Sequence, residues 1–556
     1  MLERAKDPGF WEEVRTAEKC GKWREELESV WETKCAGEIA LPTYSAYRAF
    51  FTTGSRDPFE VPYGRRRWQT GVSALLALIR PEKEQYLEMA VDALWATLDE
   101  YAWTPPEHAC FFRGDPPEDI DLFSAETAQQ IAEICEILGD RIPEDVRVRA
   151  RAEVERRTLR AFEKNTYEWE TCGNNWMMVC LCGVVTALLW LRPERLEEFL
   201  PRIRRIVRGY FASYRDDGVC TEGLVYWGYG IYKLLCLSDL VEEATGGRVR
   251  LWEEAGEKWE NIVGWYSRMS LGHGSVVSFD DIGMEQTYNT ALAGYIARRW
   301  PEHDITRGCA GESVITNRDP FSVYLRTLLW YDGPNPAPVP VHTEYFADSG
   351  WLVMCGERYG FAAKGGENRD TFHADLGSFL VAKNGRQILT DPGAGVYTQE
   401  YFTRRYENFQ VSSRGHCVPI VDGRFQRVGE GVFAPTKWED GVFSAELKAA
   451  YDAPGLRSFL RRLAPLEDRV VLEDAWAFDP GLEKPVTERF VTEIPPERVR
   501  EGFRIGEAVL KVSPEAAERS AVSVETPPGE RVFYCIDFPL PETASSFRAE
   551  LVLLED

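Results

Sequence analysis

The stretch Asp332-Gly333-Pro334-Asn335-Pro336-Ala337-Pro338-Val339-Pro340-Val341 divides the chain. Four prolines in ten residues remove four backbone donors and fix φ four times, so this stretch can be neither helix nor central strand and reads as a semi-rigid linker. Before it, from about residue 65 to 330, apolar residues recur mainly with helical period. Helices are expected near 84–100, 124–139, 145–163, 174–191, 196–214, 222–245, 253–270 and 288–300, and the run Leu75-Leu76-Ala77-Leu78-Ile79 ends before Pro81. About ten helices with short joints suggest successive antiparallel hairpins, as in a closed toroid or a solenoid. No repeat of fixed length is visible, which counts against the solenoid. After the linker the pattern changes to short alternating runs with glycine turns, and Lys383-Asn384-Gly385-Arg386 carries the Asn-Gly signature of a tight hairpin. The expected fold is α+β and multidomain. A helical α/α toroid spans 1–335, with an N-terminal extension to about 64, and an antiparallel β-sandwich spans 336–556.

At 556 residues the chain is too long for one core, and 44% hydrophobic with 28% charged residues is the composition of a globular protein in water. A net charge of −25 argues against a nucleic-acid or anionic-membrane partner, since the long-range field repels both. It leaves room for an anionic small ligand, because Arg404, Arg405, Arg414, Arg424 and Arg427 form a local cluster in sequence and fields are screened over about 8 Å. The first residues lack the apolar core of a signal peptide. The longest apolar run, Trp176 to Leu191, is shorter than the ~18 to 20 residues of a bilayer crossing. Thirteen cysteines then read as small apolar residues of a cytoplasmic protein.

Three clusters carry candidate chemistry. His373, Asp391 and His416 stand eighteen and twenty-five residues apart beside turn glycines, too wide for one helix and suited to neighbouring strands. Imidazole in such places binds metals or moves protons, although two histidines capping turns would look the same. Asn174 and Asn175 precede the most apolar helix; they read either as caps or as amides facing a carboxylate at a helix N-terminus. Glu222-Gly223-Leu224-Val225-Tyr226-Trp227-Gly228-Tyr229-Gly230 is dense in glycine and aromatics where a helix opens. Glycine weakens a helix by up to ~1 kcal/mol relative to alanine, so its density points to close approach by another group. The aromatics suit either a sugar platform or the core.

Together these clusters resemble the heparinase II/III-like superfamily of polysaccharide lyases. The resemblance rests on Glu222-Gly223-x-x-Tyr226-Trp227, His373-x-Asp375-x-Gly377-Ser378-Phe379, Asp391-Pro392-Gly393, and Ser413-x-Gly415-His416 running to Asp422-Gly423 and Gln426, with Asp121 to Ala128 as a toroid segment. It implies a toroid followed by a β-sandwich, Tyr226 as the catalytic tyrosine, and Asn175 with Asn174 facing a uronate carboxylate. It also implies a structural divalent metal, zinc by expectation, held by His373, Asp391 and His416. Arg405 joins the catalytic set, and the substrate-binding set is Glu222, Trp227, Thr371, Arg404, Arg414 and Gln426. One departure stands out. Family lyases commonly carry His-x-His-x-Asp, whereas this chain has Thr371-Phe372-His373-Ala374-Asp375, and Trp176 stands where a histidine often follows the asparagine.

The implied activity is β-elimination on uronic-acid oligosaccharides. Removing the weakly acidic C5 proton becomes feasible when the neighbouring carboxylate is neutralised, and a tyrosine near pKa 10 acting as base needs nearby cations, with a rate that climbs with pH. The partners expected are an anionic oligosaccharide, no nucleic acid and no membrane, with a homo-oligomer left open. Two alternatives remain. A glycoside hydrolase on the same scaffold needs a carboxylate pair, for which Glu222 with Asp280 or Asp281 are candidates. A non-catalytic sugar-binding relative fits the missing histidines.

Overall fold

In the helical part, five long helices are buried almost all round and five or more amphipathic ones cover them. The computed structural model describes residues 2–109, 116–282, 287–307, 311–313, 319–369, 373–512, 517–526 and 529–555. The inner helices are α1 (Asp57–Ile79), α2 (Leu122–Leu138), α3 (Trp176–Leu191), α4 (Leu224–Ala244) and α5 (Pro320–Trp330). In α3 every residue from Met177 to Leu191 is buried, which explains a helix that is apolar on all sides. The covering helix Leu196–Ser213 instead buries one stripe, Leu196, Phe199, Leu200, Ile203, Ile206, Val207 and Tyr210, at helical spacing.

The inner helices run parallel. Tyr229 and Lys233 of α4 reach Glu126 and Gln129 of α2, each at 2.8 Å, so one turn along α4 matches one turn along α2. Ser322 and Arg326 of α5 step past Gln129 and Glu133 in the same sense. Parallel inner helices bring their N-termini to one end of the toroid, where orphan backbone N–H groups and helix dipoles favour anions.

The joints depart from expectation where glycine intervenes. The helix expected over 253–270 is broken into Leu251–Ala255, Lys258–Val263 and Trp265–Arg268, with Gly256 at φ 58 ending the first piece. A short hairpin, Ser270–Gly272 with Ser275–Val276, then leads to the loop carrying Asp280 and Asp281. At the N-terminus α1 starts at Asp57, and helices Pro8–Thr16, Gly21–Val30 and Tyr44–Thr53 precede it.

Residues 332–341 connect α5 to the first strand without helix or strand of their own. The strands that follow are antiparallel. A five-stranded sheet has order β5-β4-β3-β2-β1, with β1 His342–Phe346, β2 Trp351–Cys355, β3 Gly360–Lys364, β4 Phe379–Lys383 and β5 Arg386–Leu389. Its β4–β5 turn has Asn384 at φ 50 and Gly385 at φ 77, the double positive φ that the Asn-Gly pair foretells. Alternate residues of this sheet enter different cores: Trp351, Val353, Ala362 and Leu380 pack with the toroid, while Leu352, Phe361, Phe379 and Val381 pack with the sandwich. Burial on both faces is why these strands read as continuous apolar runs. Eight-stranded and four-stranded sheets complete the sandwich.

Candidate active site and metal centre

Asn174 and Asn175 divide the two readings between them. Asn174 Oδ1 accepts from Trp176 N at 3.1 Å and from Cys172 Sγ, so Asn174 is the cap. Asn175 caps nothing; it is 5% exposed, its Oδ1 has no partner, and its amide acts on the Glu222 carboxylate, favouring the ionised form. Glycine makes this proximity possible. Gly223 sits at φ 90 where a β-carbon would lie 2.9 Å from Phe279 O, and a β-carbon on Gly230 would lie 2.3 Å from the Tyr210 hydroxyl oxygen. The close approach signalled by the glycines is thus made by the chain's own loop 279–281 and by Tyr210 of the covering helix.

That loop brings in Asp281, and the sandwich brings in the segment from Tyr397 to Arg405, with α6 (Gln399–Thr403) inside it. The Tyr226 and Tyr397 hydroxyls lie 2.7 Å apart. Asp281 Oδ2 accepts from Tyr397 OH at 2.9 Å and from Arg405 at 3.0 Å, while Oδ1 accepts from Tyr401 OH at 2.9 Å and meets His373 Nε2 at 3.0 Å. Burial would raise Asp281, but the hydrogen bond with His373 and the charge and hydrogen bond of Arg405 outweigh it and hold the carboxylate well below the usual range. Burial and then the charge of Asp281 push Glu222 up to about 7. The same two causes hold the Tyr226 phenol well above its ordinary value, so Tyr226 keeps its proton at neutral pH.

Behind this face lies a second cluster. His373, Asp375, Asp391 and His416 are fully buried, each offering one ligand atom, and those atoms all lie within 4.8 Å of one another. Each residue has its other polar atom engaged. His373 Nε2 meets Asp281, His416 Nε2 meets Gln410 O at 2.9 Å, Lys364 Nζ donates to Asp375 Oδ2 at 2.9 Å, and Gly393 N donates to Asp391 Oδ1 at 2.9 Å. Left over are His373 Nδ1, Asp375 Oδ1, Asp391 Oδ2 and His416 Nδ1, all buried without a hydrogen-bond partner. His416 Nδ1 and Asp391 Oδ2 approach to 3.0 Å without hydrogen-bonding geometry, as two donors aimed at a common ion would. Two imidazoles with both outer nitrogens committed and two carboxylates fit a divalent ion of the zinc type.

No protein-family model matches the chain. No curated protein matches it in sequence. Solved structures do: a crystal structure of heparinase III aligns with a TM-score of 0.64 at 12% identity, covering 98% of this chain and 91% of that one. The chain has the fold of heparinase III. Heparan sulfate lyase HepC from Pedobacter heparinus aligns at 0.59 and 12% identity over 100% of this chain and 86% of its own. The Streptomyces coelicolor A3 chondroitin AC lyase, in complex with chondroitin sulphate, aligns at 0.50 and 11% over 98% and 82%. Both pair with the toroid and the sandwich together, since almost the whole chain is covered.

On this heparinase III fold Asn175, Glu222, Tyr226 and Arg405 meet, and other expected site residues do not. Trp227 is wholly buried and donates Nε1 to Ile262 O at 2.8 Å, so it belongs to the core. It follows Tyr226 in the helix and therefore points about 100° away. Gln426 is 8% exposed and ties Leu376 N and O to Asn368, bracing the loop that carries Asp375. Arg404 is exposed beside Glu400 and Glu407, and Arg414 lies over the Phe425 ring while donating to Glu407 O. The arginine cluster thus disperses: Arg424 pairs with Asp422 and Asp452, Arg427 bonds Ala449 O, and Arg405 alone of the five reaches Asp281. Thr371 lies outside the described residues.

Asp375, Tyr397 and Tyr401 were given no role from the sequence, and Asp281 was named only as a carboxylate for the hydrolase alternative. Asp375 had a signal in the His-x-Asp spacing, and Asp391 had one in its Asp-Pro-Gly turn. The two tyrosines had none, nor did the meeting of Asp281 with them and His373, because only the fold brings these groups together. The hydrolase alternative loses its second carboxylate here: Asp280 is paired with Lys364 at 2.8 Å, and Asp281 is saturated by four partners.

Proposed function

We propose that this protein is a polysaccharide lyase that cleaves anionic, uronic-acid-containing oligosaccharides by β-elimination in the cleft between toroid and sandwich. The observation that carries the reading is the convergence of Asn175, Glu222 and Tyr226 at the N-terminal end of parallel inner helices, facing Arg405 and Tyr397 of the sandwich. Neighbours of the same fold act on heparan and chondroitin chains by their names, which supports an anionic glycan as substrate.

Two groups with displaced acidities divide the proton work. Glu222, at about 7, is partly ionised at neutral pH and takes the C5 proton, replacing the absent imidazole with a carboxyl moved into the same range. Tyr226 holds its proton and gives it to the glycosidic oxygen as the C4–O4 bond breaks and the C4=C5 double bond forms. Asn175 offers its remaining amide N–H to the uronate carboxylate, with helix N-termini behind it. A divalent ion, zinc by donor set, would be held by His373, Asp375, Asp391 and His416, and when bound it supplies a cross-link between loops. Thirteen cysteines and short substrates suit a cytoplasmic setting, the compartment we infer. Among the described residues no single helix is long and apolar enough to cross a membrane.

A panel of defined uronic-acid oligosaccharides, followed by ultraviolet absorbance and mass spectrometry, tests the reading. Elimination yields a conjugated unsaturated uronate, whereas hydrolysis adds water and creates no chromophore. Hydrolysed products would overturn it.

A further inference from the structure

We infer that Asp281 is a positioning residue that serves the metal centre and Tyr226 at once, through two separate hydrogen bonds. This rests on the lyase reading for Tyr226 but not for the metal centre.

The geometry is directional. Asp281 is a carboxylate and has no proton to give, so both tyrosines and the guanidinium donate to it. Tyr397 has one hydroxyl proton, and that proton is spent on Asp281 Oδ2 at 2.9 Å. In the 2.7 Å contact between Tyr226 and Tyr397 the proton must therefore be that of Tyr226. The chain Tyr226, Tyr397, Asp281 thus fixes where the Tyr226 O–H points at rest. A phenol hydrogen has two in-plane positions, and the one taken here is directed at Tyr397 rather than at the cleft. The proton swings to the substrate only when negative charge grows on the leaving oxygen, an interaction made in the transition state and not before it.

The other oxygen faces the metal centre. Asp281 Oδ1 meets His373 Nε2 at 3.0 Å, which sets the tautomer that leaves Nδ1 as the bare nitrogen of the cage. A carboxylate behind a ligating imidazole fixes the ring and raises its basicity, and its loss typically costs about 10- to 100-fold in metal affinity. Asp281 comes from the toroid, whereas His373, Tyr397, Tyr401 and Arg405 come from the sandwich. One carboxylate therefore holds four groups of the opposing domain in register.

The test separates the two bonds. Protein stripped with a chelator is titrated with zinc alone against a competing chromophoric chelator, and kcat and KM are measured on an oligosaccharide that the wild type turns over. Asp281→Asn should weaken zinc by about 10- to 100-fold. It should also lower kcat at little change in KM, because positioning in the transition state is lost and substrate binding is kept. Tyr397→Phe removes only the link to Tyr226, so it should cut kcat by at least ~10-fold, leave zinc affinity unchanged and leave the pH profile inflection of Glu222 in place. Unchanged zinc affinity in Asp281→Asn, or unchanged kcat in Tyr397→Phe, overturns the inference. Should Asp281→Asn fail to fold, Tyr397→Phe still decides the tyrosine arm, and Asp281→Glu, which keeps the charge, decides the zinc arm: affinity must stay nearer wild type than in a His373→Ala control. Should no oligosaccharide be turned over, the lyase reading fails while the zinc titration still decides the role at the cage.

Discussion

The two chemical regions of this molecule are built in opposite ways. The face of Asn175, Glu222 and Tyr226 is partly open, sits on helix N-termini, and draws on motifs only a few residues long. The cluster of His373, Asp375, Asp391 and His416 is closed to solvent and is gathered from a span of 44 residues that includes β4, β5 and α6. A substrate must enter and leave, so its groups stay accessible and tolerate partial pairing. Four buried polar atoms without partners cost several kcal/mol together unless something fills the space between them, and the proposed ion rests on that cost.

The comparison is broken most severely at Tyr226. Tyr226→Phe keeps the ring and removes the proton, so kcat should fall by at least ~10²-fold with an unchanged melting temperature; near-normal kcat would move the chemistry out of the open face. Glu222→Gln comes next. As the base must be ionised, wild-type kcat/KM should climb as pH rises through about 7 and then level off, and the variant should lose both that inflection and ~10²-fold in rate. A rate that instead falls as pH rises through this range would assign Glu222 to carboxylate neutralisation in its acid form.

The closed region should respond in stability first. Removing zinc with a chelator should lower the melting temperature by roughly 5 °C or more, and His416→Ala protein should show no further drop on chelation. Identical melting with and without chelator in the wild type would leave the cage as a buried polar cluster and nothing more. The smallest effect is expected at Arg404, which is exposed and tied only to surface glutamates: Arg404→Ala should stay within about 2-fold of wild-type kcat/KM. A larger loss would extend the open face toward α6.

Period and punctuation carried much of the fold. Helical periodicity placed α2, α3 and α4 within two residues, since a helix buried on one side or all round must repeat its apolar positions, and Asn384-Gly385 foretold its hairpin because few residues accept two positive φ values. Local motifs likewise contain Tyr226, Asn175 and three of the four residues proposed to hold the ion. Trp227 was misplaced because adjacency in sequence suggests adjacency at a site, whereas a helix turns neighbouring side chains about 100° apart. The arginines misled for a related reason: a cluster in sequence is a cluster in space only if the backbone keeps it together, and turns around residues 404–427 send each one to a different acid or carbonyl.

By itself the sequence determined the order of helical and strand regions, the glycine-opened helix bearing Glu222 and Tyr226, and the widely spaced histidines. Only the tertiary structure decided that Asp281 would join them. Its four partners, Tyr397, Tyr401, His373 and Arg405, lie 92 or more residues away in the chain, and no local propensity links groups at that separation. Their meeting depends on Gly223 admitting the 279–281 loop over the start of α4, and on the five-stranded sheet burying one face in each core. Acidity followed from the same packing. Glu222 reaches about 7 because burial and the charge of Asp281 both penalise its ionised form, and neither is a property of the glutamate.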